Sequence, residues 1–335
     1  MQLFENRVNF SRVADHFSEV MPLMQPMRRA IEAGVPVERR LTELQGRAQD
    51  PSNPDFALER QLRALRFYLQ QVLFDCSMRW PENMHGSTSY GDLLWKICRW
   101  QSDTKEPVTY VTFNYDTLLD RACEQNYDVA PDEQLRHCIN SESFKLIKLH
   151  GSCDWGRVVR PPLNKQPGGS PPIEERVVHD VTLWMIRAMS ETDVTRDYAY
   201  LPTPNHVVSP TGEQFARVCL PAIAIPMDKK QEFECPDSHV DVLREMLPQI
   251  DRVLIIGWRA AEEGFLSLLQ ELVPARPRID LVTASQDDHR EVLLRLRTLE
   301  PRPLLASPTS PSDFGFSNYL PSNRFEALVG AREVL

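Results

Sequence analysis

Tyr110–Ala122 reads YVTFNYDTLLDRA, and Pro107 precedes the run two residues before Thr109. Val108–Phe113 is β-branched and aromatic, the composition of a strand on a pleated, buried surface. It ends on the polar Asn114-Tyr115-Asp116 and passes directly into the helix-like Thr117–Gln125. The stretch therefore predicts a strand, a polar turn and a helix. The same order recurs along the chain. Phe144–Leu149 is a second strand ending on His150-Gly151-Ser152, and Arg252–Ile256 is a third, ending on Gly257 before the helical Glu262–Leu272. Ile279–Val282 is a fourth, ending on Thr283-Ala284-Ser285 before the helix Asp287–Leu299. Repeated strand, turn and helix imply an α/β, Rossmann-like fold with a mostly parallel sheet whose strands end on one edge. Ligands of such sheets bind outside the carboxyl ends of the strands. Asn114, Asp116, His150, Gly257 and Ser285, distant in sequence, are thus expected to converge.

Outward from this core, the first third is helical. From Phe10 to Gln101 the apolar residues recur at helical spacing, as in Leu58, Leu62, Leu65, Leu69 and Leu73, with turn-like breaks at Gln49–Pro54 and Pro81–Ser87. Phe67, Tyr68 and Trp95 read as core packing. Between the second and third strands lies a loop-rich insertion, residues 156–226, whose first part contains PPLNKQPGGSPPIEE. Within it Val178–Met189 is expected to be helical and Glu191–Gly212 to be extended loop. The Pro- and Ser-rich stretch from Pro301 to Pro321 is expected to wrap the surface or move. The organisation expected is a helical region over 1–106 belonging to the same domain, an α/β core over 107–300, and a tail over 301–335.

Composition limits the partners. The 335 residues carry 38 Lys and Arg against 47 Asp and Glu, a net charge of −9, and no dense basic run interrupts them. Nucleic acid is therefore not an expected partner. A dinucleotide remains compatible, because backbone N–H groups and a helix N-terminus hold a pyrophosphate without a basic surface. The seven cysteines are odd in number and include no C-x-x-C pair, which argues against a disulfide framework and against a zinc ribbon. The start MQLFENRVNF does not read as a signal peptide, and the longest apolar run, VLIIGW at Val253–Trp258, is too short to cross a bilayer. No membrane partner is expected, and a reducing cytoplasm fits best.

YVTFNYDTLLDRA, then KLHGSCDW (Lys148–Trp155), then RVLIIGWRAAEEGFLSLL (Arg252–Leu269) resemble the core signatures of sirtuin-like NAD-utilising domains. The similarity is to the divergent bacterial branch, in which a T-x-N-Y-D-x-L element precedes an L-H-G-S element, and it covers roughly Pro107–Glu300. The resemblance implies that Asn114 and Asp116 hold the nicotinamide ribose and carboxamide and that His150 is catalytic. It implies that Gly257 opens the turn approaching ribose and phosphates, and that Ser285 faces the adenosine. The activity implied is cleavage of NAD, as substrate, to nicotinamide and ADP-ribose, in a setting such as antiphage defence. Alternatives are a module that senses NAD or ADP-ribose, or that contacts a protein partner or another copy, without turnover. A deacylase is a weaker alternative, opposed by the lack of paired cysteines.

The chemistry suits these residue types. The ribose–nicotinamide bond breaks through an oxocarbenium-like state, so the protein must orient the ribose and manage a proton. A neutral Asn both donates and accepts, a carboxylate favours the cationic ring, and a histidine takes a proton near neutral pH. Against this, Asn114 and Asp116 are also the residue types that cap a helix beginning at Thr117, and a histidine at a strand end often has a purely structural role. Cys153, close to His150, raises a thiol hydrolase as a rival, although no oxyanion-hole signature accompanies it. The sequence departs from the family at two places. Trp258-Arg259 replaces the small hydroxyl residues that follow the glycine in deacylases. The family's opening strand and G-A-G-x-S loop have no counterpart, since the first glycine is Gly34 and no G-x-G occurs. That departure leads to the expectation of a late start, a lost unit or a unit supplied by another subunit, and of little NAD cleavage by the chain as it stands.

Overall fold

The structure, a computed structural model, describes residues 13, 15–83, 88–160, 186, 193–203, 207–208, 217–224, 233–273, 277–297 and 314–330. The leucines with helical spacing fall on α3 (Phe56–Asn83), which follows α1 (Met21–Glu32) and α2 (Val37–Ala48). Leu58, Leu62, Leu65 and Leu69 are buried in one apolar cluster with Val20, Met27 and Leu41. Each fully buried leucine contributes about 2 kcal/mol. Phe67 and Tyr68 are buried as expected, but Trp95 is exposed on α4 (Ser89–Thr104), with the Arg99 guanidinium 5.7 Å from its ring centre. That helix starts where the Thr88 hydroxyl accepts the Gly91 N–H at 3.1 Å and stops at Lys105, which turns left-handed at φ 61°.

β1 (Val108–Thr112) pairs in parallel with β2 (Phe144–Lys148), and α5 (Leu118–Tyr127) and the short α6 (His137–Asn140) connect them. Gln101, at the end of α4, locks this pair from below. Its Nε2 donates to the carbonyls of Glu106 and Ser143, each at 2.8 Å, and its Oε1 accepts the Tyr127 hydroxyl at 2.7 Å. After α7 (Asp237–Met246), β7 (Arg252–Ile256) pairs in parallel with β8 (Arg278–Val282) through α8 (Glu263–Leu272), and α9 (Gln286–Arg297) follows. The architecture is a Rossmann-like α/β fold with a helical N-terminal region. Helices and strands share one large apolar core that includes Leu94, Leu146, Ile147, Leu268 and Leu281.

The insertion is more ordered than its composition suggests. β3 (Gly151–Arg160), β4 (Asp193–Tyr200), β5 (Val207–Val208) and β6 (Arg217–Ile223) form an antiparallel sheet in the order β4-β3-β6-β5. Part of Glu191–Gly212 is therefore strand rather than loop. Asp193, Arg196 and Asp197 on β4 disguise it, because they replace the apolar residues of a two-sided buried strand. The sheet joins the two cores, with Trp155 and Ala222 in the large one and Val159, Leu220 and Ile223 among the N-terminal helices. The expected helix Val178–Met189 lies outside the described residues except for Ile186, which is helical and buried.

Residues 301–313 and 331–335 of the tail also lie outside them. Residues 314–330 do not simply wrap the surface. α10 (Phe316–Tyr319) and α11 (Arg324–Val329) place Tyr319 and Phe325 in the large core, and Arg324 forms an ion pair with Asp280 of β8. No helix among the described residues is long and apolar enough to cross a membrane.

Candidate functional site

The turn after β1 is held from several sides. Thr112 Oγ1 accepts the Asn114 N–H at 3.1 Å, and Asn114 Nδ2 donates to the Tyr90 hydroxyl of α4 at 3.2 Å. Asp116 Oδ1 accepts the Leu118 N–H at 3.1 Å, satisfying a donor at the start of α5. Of the two residues with a capping alternative, Asp116 takes that role and Asn114 does not.

Beneath the turn lies a buried charge cluster. Lys148, the last residue of β2, is fully buried, and its Nζ donates at 2.6 Å both to the Asp116 carbonyl and to Asp120 Oδ2. Burial disfavours its charge, but Asp120 and Asp154 beside it prevail and hold the ammonium above its ordinary value. The Asp154 carboxyl, also buried, is pushed up by desolvation and by Asp120, while its hydrogen bond from the Ser152 hydroxyl acts the other way. A lysine ending a buried strand, FKLIK, is the one trace of this cluster in the sequence.

His150 follows β2 and is 8% exposed. Its ring meets Phe113 edge-on at 5.0 Å between centroids and lies near-parallel to Tyr115 at 6.1 Å. The next residue, Gly151, has φ +79°, and a Cβ there would stand 1.9 Å from the Ala222 carbonyl oxygen. Only glycine permits β3 to leave His150 in this direction.

Across from these residues, Gly257 follows β7 with φ +64° and donates its N–H to the Val282 carbonyl at 2.9 Å. Trp258 stacks on Phe113 at 5.6 Å with 12° between the rings, and its indole N–H bonds to Glu262. Ser285 serves α9: its hydroxyl accepts the Asp288 N–H at 3.2 Å and donates to the Asp288 carboxylate at 2.6 Å.

A cavity of about 1180 Å³ opens at these strand ends, with Tyr90, Asn114, His150, Gly257, Trp258 and Arg259 among its walls. The fold thus brings Asn114, His150 and Gly257 to one cavity. Asp116 and Ser285 are not among its walls and are engaged at helix starts. Cys153 is also absent from the walls; its thiol is fully buried and pushed up by burial and by Asp154, so it lacks the thiolate that the rival chemistry needs. Tyr90 is a wall residue that sequence reasoning missed, and Trp258, which the sequence marks only as a departure from the deacylase pattern, is another. Tyr90 carries no local signal, because only the packing of α4 over β1 brings it to Asn114. Among the described residues no group of three or more His, Cys, Asp or Glu is placed to hold a metal ion.

Compared with known families, residues 108–162 match the model of the SIR2-like domain. No curated protein matches the chain. The matched stretch runs from the first residue of β1 through the Asn114 turn, His150 and the whole of β3, and over this stretch the chain is sirtuin-like.

Proposed function

We propose that the cavity binds NAD or ADP-ribose and that its chemistry, where the chain is active, is hydrolysis of NAD to nicotinamide and ADP-ribose. The observation that carries this reading is the position of Asn114 and His150. They come from successive parallel strands within the SIR2-like stretch, yet they line one cavity. The walls fit such a ligand: aromatic faces stand at Phe113 and Trp258, and the exposed Arg259 offers a cation to a pyrophosphate.

In this reaction the C1′–nitrogen bond breaks, the bonding pair leaves with nicotinamide, and water adds its oxygen to C1′ and releases a proton. Asn114, steadied by Tyr90, orients a ribose hydroxyl. His150 accepts the proton of the attacking water. Asp116 supports the geometry through the turn rather than from the wall.

A second reading is a module that binds NAD or ADP-ribose without turnover. The enclosure of His150 by Phe113 and Tyr115 and the lack of any G-x-G in the chain favour it. Defence against phage is the setting that accompanies either reading.

Calorimetric titration with ADP-ribose and an assay of nicotinamide release separate the two. The hydrolase reading expects turnover that falls on the order of a hundredfold in His150→Ala with folding retained, and similarly in Asn114→Ala. The sensing reading expects binding that Asn114→Ala weakens, with no release of nicotinamide. Absence of binding to both ligands would sink both, and activity that survives His150→Ala but not Cys153→Ala would replace them with thiol chemistry.

A further inference from the structure

Two arginines meet where α3 crosses the antiparallel sheet. Arg157 of β3 lies directly opposite Tyr198 of β4 on one side and Leu220 of β6 on the other, and residues opposed in this way share a face of the sheet. Leu220 packs among the N-terminal helices, so this face looks toward α3. The helix runs antiparallel to β3. Ser77, beside Cys153, accepts the Thr117 N–H at 3.4 Å, and Gln70 Nε2 donates to the Trp155 carbonyl at 3.1 Å. Arg66 stands one turn before Gln70, ~6 Å along the helix, and Arg157 stands two residues after Trp155, ~6.6 Å along the strand. The register therefore brings Arg66 to the level of Arg157.

One carboxylate serves both. Arg157 Nη1 is 3.5 Å from Glu234 Oε1, which also accepts the Tyr198 hydroxyl at 3.3 Å, and Arg157 Nε donates to the Thr195 carbonyl at 3.0 Å. Arg66 makes no hydrogen bond or ion pair among the described residues. Burial disfavours its charge and Arg157 adds to the effect, whereas Glu234 opposes it. Two guanidinium groups against one carboxylate leave a single positive charge in excess, half-buried and short of a partner. The cluster adjoins the segment that carries His150: the Glu234 N–H donates to the Leu149 carbonyl and the Ala224 N–H to the His150 carbonyl, each at 2.9 Å, and the Tyr115 hydroxyl donates to the Ala224 carbonyl at 2.6 Å. Arg66, Arg157, Tyr198 and Glu234 are nevertheless not among the walls of the large cavity.

We propose that Arg66 and Arg157 form a second ligand site, separate from the cavity, that takes the carboxylate of a small organic acid between their guanidinium groups. Arg66 offers a planar fork of donors that matches a carboxylate bidentately, and Arg157 adds Nη2, its Nε and Nη1 being engaged. Charge selects the ligand. A carboxylate balances the excess of one, whereas a phosphate monoester, at about −1.5 to −2, overshoots it beside Glu234, and a neutral amide leaves it unpaired. Depth limits the size, since the Arg157 and Glu234 side chains are only 22% and 13% exposed and the carboxylate has to enter a recess. The proposal holds whether or not the cavity takes NAD.

The test is nuclear magnetic resonance of the arginine Nε–H groups of the full chain, titrated with sodium acetate in a chloride buffer of constant ionic strength. The Arg66 and Arg157 signals should move along one saturating curve in the millimolar range, while that of the exposed Arg290 stays in place. Acetamide should move none of them, and methyl phosphate should bind no more tightly than acetate. Arg66→Gln removes a group without a partner among the described residues, so it should leave the urea midpoint unchanged or raised and weaken the acetate response of Arg157 on the order of tenfold or more. Arg66→Lys, which keeps the charge but not the fork, serves in its place should Arg66→Gln fail to fold, and should weaken acetate severalfold. A response that does not saturate, or that survives both variants, overturns the proposal. Tighter binding of methyl phosphate overturns the choice of a carboxylate. An Arg66 Nε–H already protected from exchange without acetate and unmoved by it also overturns the proposal, because another group then holds the guanidinium.

Discussion

Lys148→Met tests the cluster beneath the Asn114 turn. The lysine side chain is 0% exposed and that of Asp120 8%, with 2.6 Å between Nζ and Oδ2. At an effective dielectric of 20 the Coulomb attraction at such a distance is about 6 kcal/mol, most of it offset by the cost of taking both charges out of water. Removing only the ammonium withdraws the attraction and leaves that cost in place, with Asp154 close by as a second buried carboxyl. Breaking a buried pair in this way costs about 3–5 kcal/mol, and the Asp116 carbonyl also loses its donor. We expect a loss of about 4 kcal/mol in urea unfolding at pH 7, with an unchanged denaturant slope. Lys148→Met combined with Asp120→Leu should recover much of it, because the orphaned carboxylate goes too. Exchange of the Cys153 amide, which donates to the Tyr115 carbonyl at 2.8 Å, should accelerate in the single variant as the turn loosens. A single-variant loss below about 1 kcal/mol, or a double variant no more stable than the single, would refute the reasoning.

Gly151→Ala should cost about 3 kcal/mol or more in the same assay, since its Cβ meets a backbone carbonyl at positive φ and the strain has no flexible side chain to absorb it. Asp116→Ala should lower stability by about 1 kcal/mol through the lost bond to Leu118, and Asn114→Ala by less, as thermal unfolding will report. His239, buried against Trp155 with Nε2 3.2 Å from the Leu135 carbonyl, has its pKa lowered by burial to about 4. The unfolded chain then binds the extra proton between the ordinary histidine value and about 4. The contribution of His239 is therefore present above pH ~6.5 and lost as pH falls toward 4, by about 3 kcal/mol in all. His239→Gln should lose less stability than the parent between pH 7 and 4, and equal slopes for the two would count against it.

The four parallel strands lie within a residue of where local composition places them, because each is a short apolar run stopped by polar residues. Their helices follow from apolar spacing for the same reason. β4 escaped notice because its charges break the pattern on which strand recognition depends. Trp95 escaped in the opposite sense: an aromatic residue in a helical stretch reads as core, and only the packing of neighbouring elements leaves it outside.

The candidate site divides along the same line. Asn114, Asp116, His150, Gly257 and Ser285 were legible as polar or glycine residues at strand ends, and that much is determined by sequence. Which of them reach one cavity is not, because it depends on pairings between residues far apart in the chain. β1 on β2 carries Asn114 to His150, β7 beside β1 carries Gly257 across from them, and the turn hydrogen bonds draw Asp116 and Ser285 back to their helices. Tyr90 and Lys148 belong to the site through contacts 24 and 32 residues distant in sequence. The two strand edges that border the cavity are likewise a product of tertiary structure: sequence specifies that β1 and β7 are strands, whereas only hydrogen-bond pairing decides which of their edges has no partner strand among the described residues.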